Sequence, residues 1–227
     1  MVGLSPQPAF AALVFDFDGT LVDGSRIKKQ AFLHALGAGV TVDGHKCELA
    51  YSKYGTINRI RQLTLSFEFI YSRSPTETEQ AALVAAYTAY VQTHMDECIL
   101  FPGLPEFYAE FSGRYRFMIA SNAPETEIGE QCDRLGIHPY FSRIYGYPMS
   151  KTEALREITE SLGVASDNVL YVGDRVEDGM AAATAGTPFR RLDPGLYEPS
   201  PNAGILRSLA DLKAELRNLE ARIASAH

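Results

Sequence analysis

The chain has 227 residues, 46% of them hydrophobic and 22% charged, with a formal charge of -7, which is material for one globular core plus an insertion. The acidic balance argues against nucleic acid and anionic membrane as partners, because neutralising many phosphates requires a basic face. No apolar run approaches the length of a membrane span, and Met1 to Pro8 carry neither basic residues nor a long apolar stretch, so a cytoplasmic protein is the expectation.

Ala12 to Phe15 read as a strand buried on both faces, and the run continues into Asp16-Phe17-Asp18-Gly19-Thr20. Asp16 stands at the carboxyl end of that strand, where open parallel sheets bind their ligands. On extended backbone residues two apart share a face, so Asp16 and Asp18 converge while Phe17 points away, and two such charges call for a cation. A calcium loop of the EF-hand type is excluded, because Leu21 and Ile27 occupy the places of its glycine and glutamate.

From about Ser25 to His94 the apolar period becomes helical, with helices expected over Ile27 to Leu36, Thr56 to Phe69 and Glu77 to His94 and breaks at Gly37, Gly55 and Pro75. After Phe101-Pro102-Gly103 strands and helices alternate, with strands expected at Phe117 to Ala120, Arg143 to Tyr145, Val169 to Val172 and Phe189 to Leu192. Strands separated by helices imply right-handed parallel crossovers and a sheet covered on both faces. The fold class is therefore α/β, a Rossmann-like parallel sheet with an inserted all-helical domain: residues 1-22 and 100-227 form the core, and residues 23-99 the insertion.

Three further strand ends or loops carry polar groups. Ser121 and Asn122 follow the second core strand and offer a hydroxyl and turn N-H groups to an anion, or else a helix cap. Lys151 opens a helix, where the dipole does not favour a cation; Ser150 and Tyr145 replace the glycines that a Walker loop would need. Gly173 and Asp174 end the strand Val169 to Val172, and Asp178 follows at the same sheet edge. Cys47, Cys98 and Cys132 are odd in number and far apart, so neither a disulfide framework nor a zinc site is indicated. Leu209, Leu212, Leu216, Leu219 and Ile223 form a helical stripe that reads as a dimer zipper or as a terminal helix on the core. The second is favoured, because a coiled coil wants three or four heptads.

The ordered set resembles the haloacid dehalogenase superfamily of phosphotransferases over nearly the whole chain. Asp16-Phe17-Asp18-Gly19-Thr20 resembles the first motif of that family, Ser121 the second, Lys151 the third, and Gly173-Asp174-Arg175-Val176-Glu177-Asp178 the fourth. The helical insertion is similar to the cap of the subgroup that includes phosphoglycolate phosphatases and β-phosphoglucomutases. The resemblance implies an Mg2+-dependent phosphatase of small phosphorylated metabolites, phosphoglycolate-like or sugar phosphates. Asp16 would be the nucleophile that forms an aspartyl-phosphate, and Asp18 the general acid and base. Mg2+ would be held by Asp16, the Asp18 carbonyl and Asp174, with Asp178 as ligand or supporting partner. Lys151, Ser121 and Asn122 would meet the phosphate, and Thr20 would touch it or fix the first loop. An aspartate at position 18 argues against dehalogenase and phosphonatase chemistry. In the insertion, Lys28 stands where related mutases often carry a histidine; Lys53 lies in a stretch resembling the substrate-specificity loop, and Arg59 is a further candidate for a substrate carboxylate or second phosphate. The alternatives are a phosphomutase of the β-phosphoglucomutase type and a non-catalytic protein that binds phospho-ligands. A monomer or a homodimer is expected.

Overall fold

The computed structural model describes residues 8-37, 39, 41-55, 57-193 and 205-225. Thr56, expected to start a helix, lies outside them. The chain divides into two compact units, one made of Met1–Val22 and Leu100–His227, the other of Asp23–Ile99. It leaves the first unit along β2 (Val22–Asp23), after β1 (Ala12–Phe15), and returns along β3 (Ile99–Leu100).

The second unit is a set of four helices, α1 (Ser25–Ala35), α2 (Gly44–Tyr54), α3 (Arg59–Tyr71) and α4 (Glu77–His94). Helix α2 is not foreshadowed by apolar periodicity, since only Cys47 and Ala50 of its residues are buried; the Asp43 side chain caps it by accepting from the His45 N-H at 2.9 Å. Asn58 caps α3 in the same way, accepting from the Arg61 N-H at 3.0 Å, and the Thr76/Glu79 capping box starts α4. The core of this unit gathers Phe32, Leu63, Tyr87 and Val91, with Tyr51 and Tyr90 packed against it, and Phe67 is buried as well. These aromatics act as packing, as expected of an amphipathic helical set.

The first unit continues with α5 (Leu104–Phe111), β4 (Arg116–Pro124), α6 (Glu125–Arg134), β5 (Arg143–Tyr147), α7 (Lys151–Leu162), β6 (Val169–Gly173), α8 (Val176–Ala185), β7 (Phe189–Arg191) and α9 (Leu209–Ser225). Five strands form one sheet in the order β5-β4-β1-β6-β7, and every pairing is parallel. The period of two in β1 explains why it is apolar throughout. Leu13 and Phe15 enter one core with Phe107, Phe111, Phe117, Leu170 and Val172, while Ala12 and Val14 enter the other with Leu155, Ile158 and Tyr171. Phe15 stacks on Phe117 at 5.8 Å and meets Phe107 edge-on at 6.1 Å. Truncating such a fully buried ring to alanine costs about 3–5 kcal/mol.

Strand β4 is longer than its apolar run. It extends to Pro124, and its ladder with β5 shifts register between Ala120 and Pro124. Gly146 of β5 permits the close passage, because a Cβ there would stand 2.5 Å from the Glu125 N and 2.6 Å from the Ala123 O. Ser121 and Asn122 therefore sit in extended backbone and cap no helix.

Leu209, Leu212 and Leu216 of α9 are buried in the sheet's core, whereas Leu219 and Ile223 are partly exposed, so the stripe is mainly a packing face. The helix is also tied through Glu220, which is 3% exposed: its carboxylate accepts from Arg114 Nη1 and from the Tyr115 hydroxyl, both at 2.6 Å. All three cysteines are buried thiols outside any disulfide. Among the described residues no helix is long and apolar enough to cross a membrane.

Candidate active site

The site is built at the carboxyl ends of β1, β4 and β6. Register places Phe15 opposite both Ile119 and Val172, so the residues that follow each strand emerge at one level. Asp16 is held there by its own N-H, which donates to the Val172 carbonyl at 2.8 Å. The chain then turns tightly: the Leu21 and Val22 N-H groups donate to the Phe17 carbonyl at 2.9 and 3.1 Å, and Phe17 drops into the core. Gly19 has φ +84, and a Cβ on it would lie 2.5 Å from Asp174 Oδ2. The motif thus needs glycine on two counts, backbone conformation and space for the carboxylate.

Lys151 is the first residue of α7, whose start is secured by a capping box between Ser150 and Glu153. It is not a surface lysine. Its side chain is 9% exposed, and Nζ lies 3.0 Å from Asp16 Oδ2 and 2.5 Å from Asp178 Oδ1. Burial alone would lower the ammonium's pKa, but the charges of Asp16 and Asp178 outweigh it and hold the value above that of free lysine. The tilt of Lys151 into the site explains how a cation is tolerated at a helix start: its charge is carried away from the N-H groups towards carboxylates.

Asp178 is fully buried and meets several polar groups. Its Oδ1 receives Lys151 and lies 3.2 Å from the Tyr171 hydroxyl, and its Oδ2 accepts from the Arg175 N-H at 3.0 Å. Gly173 leaves room for it, since a Cβ there would approach Asp178 Oδ2 to 2.5 Å. Asp174 is also buried; the Thr20 hydroxyl donates to its Oδ1 at 3.3 Å, Arg175 Nε stands 3.7 Å from its Oδ2, and Arg191 Nε donates to its carbonyl at 2.9 Å.

Carboxylate oxygens of Asp16, Asp174 and Asp178 lie within 4.8 Å of one another. Among the described residues the buried Asp16 Oδ1 has no hydrogen-bond partner, an arrangement that costs free energy unless a cation or proton meets it. Burial pushes the Asp16 carboxyl up to about 7; Lys151 pulls the other way, and Asp178, Asp174 and Asp18 add to the rise. An all-oxygen, anionic set suits a hard divalent cation such as Mg2+. All three carboxylates are close enough to face such a cation, and Asp178, which also receives Lys151 and the Arg175 N-H, orients the lysine.

Other candidates are placed as follows. Ser121 is buried at the end of β4, with its Oγ 3.5 Å from the Ala123 N-H, and Asn122 is exposed. Asp18 is partly exposed in the turn that follows β1, bridged to Val22. The Thr20 hydroxyl is directed to Asp174, a contact that fixes the first loop. In the helical unit Lys53 and Tyr54 close α2, so they form its last turn and not a loop; Lys53 Nζ lies over the rings of Tyr54 and Phe69 at 5.3 and 5.4 Å. Arg59 is committed to α4: Nη1 donates to Thr88 Oγ1 at 2.9 Å and the guanidinium stacks on Tyr87 at 4.4 Å. Lys28 is half-buried on α1. Tyr171 and Arg191 were not singled out in the sequence, because one sits inside an apolar run and the other in a weak edge strand.

A parallel sheet that assembles two strand-end aspartates, a buried lysine and a glycine turn at one edge defines a hydrolase of the haloacid dehalogenase type. Residues 10–186 match the model of the haloacid dehalogenase-like hydrolases, and the chain belongs to that family. It is 28% identical over 183 residues to a phosphoglycolate phosphatase of Synechococcus elongatus, covering 77% of this chain and 80% of that one. A glyceraldehyde 3-phosphate phosphatase of Methanopyrus kandleri is 25% identical over 204 residues, covering 82% and 85%. Among solved structures, a haloacid dehalogenase-like protein of Streptococcus pneumoniae superposes with a TM-score of 0.72 at 21% identity, over 91% of this chain and 98% of that one. A family hydrolase of Deinococcus radiodurans, solved with bound phosphate and sodium, gives 0.64 at 21% identity over 94% and 97%.

Proposed function

We propose that this hydrolase is a Mg2+-dependent phosphatase of small phosphate monoesters, in which Asp16 accepts the phosphoryl group. The observation that carries this reading is the buried trio of Asp16, Lys151 and Asp174: a carboxylate with one unpartnered oxygen, an ammonium beside it, and a second carboxylate at the distance of a shared cation.

One Asp16 oxygen attacks phosphorus as the bond to the leaving oxygen breaks, and Asp18 gives that oxygen its proton. Asp18 then takes a proton from the water that attacks the aspartyl-phosphate, which frees inorganic phosphate and restores Asp16. Lys151, fixed by Asp178, neutralises charge on the transferring group, and the Ser121 hydroxyl with neighbouring N-H groups holds a phosphoryl oxygen. A bound Mg2+ offsets the repulsion between the carboxylate and the phosphate and draws charge from the phosphoryl oxygens. Asp16 and Asp174, with the Asp18 carbonyl, would hold it.

Relatives that act on phosphoglycolate and glyceraldehyde 3-phosphate support short-chain, anionic or polar phosphate esters as the substrate class. The unit Asp23–Ile99 acts in this reading as the cap that selects among them. Lys28 and Lys53 are its basic candidates, whereas the contacts of Arg59 with Thr88 and Tyr87 tie it to the unit's own packing. A panel of phosphate esters assayed with Mg2+ tests the proposal: phosphate release without any bisphosphate primer, abolished in Asp16→Asn, is expected. Turnover retained in Asp16→Asn removes the assigned nucleophile, and strict dependence on a primer turns the reading to a mutase.

A further inference from the structure

Tyr171 is fully buried in β6, and burying a phenol away from water is costly unless its hydroxyl finds partners. Both atoms it finds belong to the site's frame. Its Oη lies 3.0 Å from the Ala120 carbonyl and 3.2 Å from Asp178 Oδ1. A tyrosine has one proton to donate, and burial beside these carboxylates keeps that proton on the oxygen. The ring itself packs with Phe189, at 6.1 Å between centroids, and a phenylalanine would fill the same space. The hydroxyl is therefore the part that packing does not explain.

Each acceptor is a weak point of the frame. Ala120 is the last regularly paired residue of β4 before the register shift, so the segment carrying Ser121 lacks continuous ladder bonds to β5. Asp178 holds Lys151 at 2.5 Å, and it keeps that lysine against Asp16. We propose that Tyr171 is a positioning residue for phosphoryl transfer, a latch whose single proton joins the Ser121 segment to the carboxylate that aims Lys151. The ammonium has three N-H donors, and with two of them spent on Asp16 and Asp178 the third is left for a phosphoryl oxygen. The proposal rests on the assignment of Asp16 as phosphoryl acceptor.

The test compares wild type with Tyr171→Phe, Asp178→Asn and the double variant in two measurements. One is hydrolysis of p-nitrophenyl phosphate with Mg2+, taken per folded molecule; the other is the nitrogen NMR resonance of the Lys151 ammonium in the full chain, which reads the lysine's setting without turnover. Tyr171→Phe is expected to lower kcat about tenfold with KM changed less than about twofold, as for loss of one hydrogen bond to a charged group. It is expected to move the Lys151 resonance, and to cost less than about twofold more once Asp178→Asn is present, because the two residues act through one contact. A Lys151 resonance that stays in place overturns the inference whatever the rate does, as does a tenfold loss that persists undiminished in the Asp178→Asn background. Absence of turnover in wild type would refute the phosphatase reading alone, and the resonance would still decide the role of Tyr171.

Discussion

Replacing Lys151 with methionine keeps an unbranched side chain, one atom shorter, and removes the charge that meets Asp16 and Asp178 at 3.0 and 2.5 Å. Breaking a buried ion pair from one side costs about 3–5 kcal/mol, because the partner stays buried and uncompensated. In a domain of this size about 1 kcal/mol corresponds to roughly 2–4 °C in Tm, so a fall on the order of 6–20 °C is expected at pH 8. The loss should depend on pH in a definite direction. The Asp16 carboxyl is raised from 3.8 to about 7, chiefly by burial. A raised carboxyl contributes stability that is fully present below the unfolded value and is lost as pH rises through the folded one. At pH 5 Asp16 carries a proton and asks nothing of Lys151; at pH 8 it must ionise with no ammonium beside it. The gap in Tm between wild type and Lys151→Met should therefore be smaller at pH 5 than at pH 8, and saturating Mg2+ at pH 8 should narrow it by meeting the same charges. Thermal melts at the two pH values, with and without Mg2+, measure this. Equal losses at both pH values, or no response to Mg2+, would refute the electrostatic account of the buried trio.

Other outcomes follow from particular contacts. Mg2+ must displace the proton from Asp16 below about pH 7, so its affinity, measured by calorimetry, should fall by up to about tenfold per unit of pH below that value and level off above it. Gly19→Ala forces a Cβ to 2.5 Å from Asp174 Oδ2 at φ +84; turnover and Mg2+ affinity should both drop by more than about tenfold, and calorimetry showing unaltered affinity would contradict the crowding argument. Glu220→Ala strips Arg114 and Tyr115 of a shared, buried acceptor, and chemical denaturation should show a loss of about 3 kcal/mol while kcat/KM stays within about twofold.

The parallel sheet was legible because its strands are apolar on both faces and end in glycine or polar residues, as Val169 to Gly173 does. Helix α2 was not, since an alternation built on Cys47 and Ala50 buries too little to mark a face. The same limit applies to single polar atoms. The positions of Asp16, Asp18, Lys151 and Asp174 could be marked as candidates from strand ends and a helix start, yet the burial of Lys151 depends on contacts with Asp16 and Asp178, which lie on other elements. The burial of Glu220, and the partners of the Tyr171 hydroxyl, arise from contacts across more than one element and leave no local pattern. Arg59 was a candidate for a substrate carboxylate or second phosphate; Tyr87 and Thr88, which hold it, lie a helix away in the sequence.

The central place of β1 has a cost during synthesis. Its partners in the ladder are Arg116 to Ile119 on one side and Val169 to Val172 on the other, so an apolar segment near the amino terminus emerges from the ribosome long before either neighbour exists. The unit Asp23–Ile99 is contiguous and can close on local contacts in the meantime. Until the chain passes Ile119 the segment that will carry the nucleophile has no ladder partner, and until it passes Val172 one of its edges stays open, the kind of surface that nascent chains shield with chaperones.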